Sequence, residues 1–192
     1  LLPDGVLRLT GDATEEAVLL KARAPHARRV IVVCGNDGVN VEVAAKLHGL
    51  ALRVAVPGAQ PRQPCPETTL VCHVHLIDLR LRKLVEDSEI YRRKDDCFEL
   101  RFFNIFERGA QALLRENPPV PLKQENTGPL HVLVVGFGDT GESIVALCAK
   151  QFAKSPGQPL RVTVVDRQAE RLGELFRFSQ PELAKGCDLE FI

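Results

Sequence analysis

The stretch from His131 to Asp166 constrains the architecture of this chain more than any other. Val132-Leu133-Val134-Val135 is an apolar run of the kind that forms a buried strand. It breaks into Gly136-Phe137-Gly138-Asp139-Thr140-Gly141 before Ser143-Ile144-Val145-Ala146-Leu147 resumes. A glycine turn that hands a strand to a helix lets the first backbone N–H groups of that helix face a phosphate. A second apolar run, Leu160 to Val165, ends in Asp166, an acid placed to meet a ribose hydroxyl. The interval from Gly141 to Asp166 is a few residues longer than the usual ~20. The insertion Ser155-Pro156-Gly157-Gln158-Pro159 accounts for the excess. The pieces spell a β–α–β unit of a parallel sheet with a nucleotide-binding turn.

Bulk properties narrow the function classes. Lys and Arg total 25 and so do Asp and Glu, so neither a basic nucleic-acid footprint nor an acidic tail exists. Function must come from local sites. No apolar run approaches the ~20 residues that span a bilayer. The 6 cysteines, at 34, 65, 72, 97, 148 and 187, form no CxxC pair and mostly sit in apolar segments, which favours a reducing cytoplasm. Position 1 is leucine and the chain contains 0 methionines, so we read it as an excerpt of a longer protein.

Upstream, Gly5 to Thr10 alternates like a short strand, and Gly11-Asp12-Ala13-Thr14 opens a helix whose first turn holds Glu15 and Glu16. Arg29 to Cys34 is a β-branched run expected of a strand buried on both faces. Gly35-Asn36-Asp37-Gly38 punctuates it, Val39, Val43, Ala44 and Leu47 recur at helical spacing, and Leu50 to Val56 reads as a return to strand. Pro57, Pro61, Pro64 and Pro66 make 57–67 a loop. Strands are expected at Leu70 to Leu76, Phe98 to Phe103 and Cys187 to Ile192, and helices at Asp78 to Asp87, Ile105 to Glu116 and Ala169 to Phe178. Strands alternating with helices imply parallel pairing through right-handed crossovers.

Three further side-chain features read as structural rather than chemical. His73 and His75 share one strand face, with Cys72 opposite and Cys65 nearby, but the spacing matches no zinc pattern. Phe98, Phe102, Phe103 and Phe106 sit among mixed charges and are read as packing rather than a base-stacking platform. Ser143 stands in a helix start, not in a Gly-x-Ser-x-Gly elbow.

Gly11-Asp12-Ala13-Thr14-Glu15, followed by Val30 to Asp37 and Asn40, resembles the second half of the RCK, or Trk-type, NAD-binding domain (regulator of potassium conductance). Residues 131–166 resemble that domain's first half. The order is inverted, as if two RCK domains stood in tandem with the chain cut inside each; circular permutation is the alternative. The expected fold is α/β, a Rossmann-like doubly wound parallel sheet formed from the second half of one RCK domain and the first half of the next. Residues 1–116 would be the first part, 117–128 a proline-rich linker and 129–192 the second part. A single closed sheet joining 5–56 to 131–192 is favoured, because an isolated half-sheet leaves an edge unpaired.

The fingerprint and the resemblance together define the candidate ligand residues. Gly136, Phe137, Gly138, Asp139, Thr140 and Gly141 would cradle phosphates, Asp166 would meet the ribose, and Arg167 would lie near the adenosine end. Asp139 is the awkward member, since its carboxylate repels an incoming pyrophosphate. The resemblance implies that the loop with Cys34, Gly35, Asn36, Asp37 and Asn40 lies over the nucleotide, with Asp12 near the adenine. It also implies NAD(H) as ligand, with ATP or ADP as alternatives, and a non-enzymatic TrkA-N-type module in the cytoplasm at the inner face of the membrane. Its implied partners are a potassium channel or transporter subunit, or a fused pore, and further copies in a homo-oligomer, with no nucleic acid. An NAD-dependent oxidoreductase fragment and a degenerate oligomerisation scaffold are the competing readings.

Overall fold

A computed structural model of the protein describes residues 7–55, 69–88, 97–119, 130–152 and 160–192. They fall into two compact units, Leu1–Asn104 and Ile105–Ile192.

The first unit runs α1 (Glu16–Lys21), a 3-10 turn at Ala24–His26, β1 (Arg29–Val32), α2 (Asp37–Ala55), β2 (Leu70–His75), α3 (Leu79–Glu86) and β3 (Phe98–Phe103). Its 3 strands are parallel in the order β1-β2-β3, with Val30 opposite Cys72 and Cys72 opposite Leu100. The central strand turns Leu70, Cys72 and Val74 into a core that Leu47, Leu50 and Ala51 of α2 complete, with Phe98 from β3. Phe102 packs against the same core, as the packing reading of the phenylalanines requires.

Two expectations need correction here. Residues 50–55 are helical, not a strand: Leu47, Leu50 and Ala51 continue the three-and-four spacing of α2 and are buried by it. The run Arg29–Val32 is not buried on both faces, since Val32 is enclosed while Ile31 is 65% exposed. Among the described residues, α2 covers the face that carries Val30 and Val32, and the alternate face with Ile31 and Val33 is left open. The described part of the expected first strand, 7–10, is irregular, and Gly5, Val6 and the loop 57–67 lie outside the described residues.

The second unit runs α4 (Ile105–Glu116), β4 (Leu130–Val135), α5 (Asp139–Phe152), β5 (Leu160–Val165), α6 (Ala169–Ser179), α7 (Pro181–Lys185) and β6 (Asp188–Phe191). Its strands are parallel in the order β4-β5-β6, with Val132 opposite Val162 and Val162 opposite Leu189. Val145 and Cys148 of α5, Val162 and Val164 of β5 and Phe176 of α6 form its core. Helix α4 packs on α5 within this unit, whereas the sequence grouped it with residues 1–116. The insertion at 155–159 and most of the expected linker lie outside the described residues.

The α/β class with Rossmann-like parallel strands holds in both units, but the single closed sheet does not. Among the described residues the strands hydrogen-bond as two 3-stranded sheets. Each sheet buries its apolar face against its own crossover helices, which is enough to close a small hydrophobic unit. Among the described residues no helix is long and apolar enough to cross a membrane.

Candidate functional site

The turn after β4 is shaped by three glycines with separate tasks. Gly136 has φ +92°, a left-handed conformation that side chains rarely adopt, and its N–H donates to the Val165 carbonyl at 2.8 Å. Gly141 is buried in the first turn of α5, where a Cβ would collide with the Gly136 carbonyl oxygen. Helix and turn can therefore touch only if position 141 lacks a side chain. Gly138 has nothing within 4 Å of where its Cβ would be, so backbone is open to solvent on that side.

Helix geometry leaves the first amides of α5 without intrahelical acceptors, and they begin at this open position. The residues present thus fit a pyrophosphate: a bare turn, an open flank and a helix N-terminus. Asp139 and Thr140 are exposed in the same first turn. The Asp139 carboxylate suits the helix dipole but opposes a bound anion. Glu142, also in that turn, accepts a hydrogen bond from Gln180 Nε2 at 3.1 Å.

Asp166 stands at the end of β5, where the fingerprint expects it, and does more than wait for a ribose. Its Oδ2 accepts the Phe137 N–H at 2.8 Å and its Oδ1 accepts the Gln168 N–H at 2.8 Å. The two amides, that of Gln168 first, hold its carboxyl below the usual aspartate range. One side chain thus ties the glycine turn to the start of α6. Arg167 beside it is exposed. Phe137 lies inward: it is 4% exposed and packs in the second core.

The other candidates belong to the first unit. Asn36 Oδ1 accepts the N–H groups of Gly38 and Val39 at 2.8 and 3.2 Å, capping α2. Asp37 Oδ2 accepts those of Ile77 and Asp78 at 2.8 and 2.7 Å, joining the loop after β1 to the loop after β2. Asn40 is 0% exposed: its Oδ1 accepts the Cys34 N–H at 2.7 Å, and its Nδ2 donates to the Cys34 and His75 carbonyls at 3.1 and 2.9 Å. Its side-chain amide bonds backbone on both sides and so forms a clamp across the ends of β1 and β2.

Cys34 is half-buried within that clamp, and Gly35 is exposed with open space around it. Asp12 forms a local turn, accepting the Thr14 N–H at 2.8 Å and the Thr14 hydroxyl at 2.7 Å. The Thr14 side chain and amide lower its pKa. Lys46 Nζ donates to the Thr14 carbonyl, tying this turn to α2 rather than to the Asn36 loop. His75 is buried with its ring 5.6 Å from that of Phe103; Cys65 lies outside the described residues.

The sequence reading missed Ile77 and Asp78 as partners of Asp37, and it missed Gly173, Phe176 and Phe191 behind Phe137. A glycine inside the α6 pattern was the available signal for the latter group.

Residues 1–56 match the family model described as TrkA-N domain, over the stretch in which Gly11 to Asn40 carries the resemblance to an RCK-type domain. Comparison with curated proteins and with solved structures gives no match.

Proposed function

We propose that this chain, which opens on a TrkA-N segment, is part of a cytoplasmic nucleotide-sensing module that regulates potassium transport. NAD(H) is the favoured ligand, with ATP or ADP as alternatives. The observation that carries the reading is the turn after β4. Gly136 is left-handed, Gly141 is closed against it, Gly138 is open, and Asp166 stands at the end of the neighbouring strand. That arrangement supports a dinucleotide pyrophosphate on the amides of α5 and a ribose hydroxyl at the remaining lone pairs of Asp166.

The role is regulatory rather than catalytic. A ligand at the turn biases a potassium channel or transporter subunit, or a pore fused to the same protein, only if it binds two arrangements of the module with different affinity. Equal affinity shifts nothing. A homo-oligomer on the inner face of the membrane is the assembly in which such a bias reaches a pore.

Calorimetric titration with NAD⁺, NADH, ATP and ADP tests the reading. One of the four should give heat and raise the melting temperature, and Gly138→Val, which fills the open flank, should abolish both. Absence of heat and of a melting shift with all four overturns it.

A further inference from the structure

The glycine turn is braced from behind by aromatic residues of the second core. Phe137 presents its ring to Phe191 at 5.0 Å and 85° and to Phe176 at 5.6 Å and 81°, both edge-to-face. Phe191 lies on β6, at the opposite edge of the sheet from β4. The turn is therefore propped across the full width of the sheet.

Phe191 is itself seated from two sides. A Cβ on Gly173 of α6 would approach its Cγ and Cδ2 to 2.9 Å, and the Arg177 guanidinium carbon lies 5.3 Å from its ring centroid. Glycine is a poor helix residue, yet here the space of its missing side chain is filled by the ring. Phe137 is thus fixed at both ends, its amide by Asp166 and its ring by Phe191, and the backbone that follows it at Gly138 leaves in a set direction. Edge-to-face pairs are directional, so an aliphatic side chain of similar bulk does not reproduce that orientation.

We propose that Phe191, seated by Gly173, is a positioning residue of the nucleotide site: acting through Phe137, it sets the aim of the turn's amides and hence ligand affinity. The affinity half of this inference rests on the dinucleotide reading above. The orientation half does not.

The test uses the whole chain as native protein, Phe191→Leu, Gly173→Ala and the double variant, with NAD⁺ titration and ligand-free hydrogen exchange at the Phe137 and Val162 amides. Val162, at the centre of the same sheet, reports general loosening. Each single variant should weaken NAD⁺ binding roughly three- to tenfold, the range expected for a lost aromatic pair. Each should also speed exchange at Phe137 more than at Val162. The double variant should bind no worse than the weaker single one, because both changes act on one ring.

Exchange at Phe137 that stays native, or rises only in step with Val162, overturns the inference, as does native NAD⁺ affinity in the variants. Selective exchange at Phe137 in a native protein that gives neither heat nor a melting shift with NAD⁺, NADH, ATP or ADP upholds the bracing and overturns the nucleotide reading instead.

Discussion

Asp166 carries two tasks on one carboxylate, and acid separates them. With its folded-state pKa depressed by the Gln168 and Phe137 amides, its stabilisation is fully present above about pH 4, the unfolded aspartate value. It is lost as the pH falls through the lower native value. Asp166→Asn keeps one acceptor but turns an NH₂ toward the other amide, so the variant should be less stable than native at pH 7 and approach it as the pH drops toward 3. Urea midpoints across that range check this, and parallel curves for the two proteins would contradict it. Residue identity alone told part of this story: the acid after β5 was legible from its place after an apolar run. That Asn40 spends its amide on Cys34 and His75 was not, because composition cannot say which acceptors a turn brings within reach.

At the scale of elements, two of the helical glycines, Gly141 and Gly109, predict opposite responses to one added methyl. Gly141→Ala drives a Cβ into the Gly136 carbonyl and should cost about 1–3 kcal/mol by forcing α5 away from β4. Gly109→Ala in α4 meets nothing within 4 Å and should stabilise by up to about 1 kcal/mol through helix propensity. Thermal denaturation of the pair reads both signs, and a destabilised Gly109→Ala would refute the propensity argument. Most elements were readable because period and punctuation agreed: Asp78 does cap α3, accepting the Arg80 and Leu81 amides. The segment 50–55 misled because Leu50 to Val56 is apolar enough to satisfy either period, and only burial of Leu50 and Ala51 against the sheet decides for helix. The separate sheets were equally hidden, since strand order along the chain does not state which edges pair.

For the molecule as a whole, the two cores share no residue: one gathers around Leu47, Cys72 and Val74, the other around Val145, Val162 and Phe176. Each should melt as its own cooperative unit. Asn40→Ala strips partners from the Cys34 amide and the Cys34 and His75 carbonyls, so it should destabilise the first unit by at least about 2 kcal/mol. The second transition should stay in place; a shift of both by equal amounts would show one cooperative body. The burial of two thiols supplies the means to follow this. Burial pushes Cys72 up to about 12 and Cys148 up to about 11, so neither offers thiolate to an electrophile while its own unit is closed. A brief pulse of maleimide during denaturation would therefore time-stamp each half separately, the mass of the Cys72 peptide recording when the first opens and that of the Cys148 peptide when the second does.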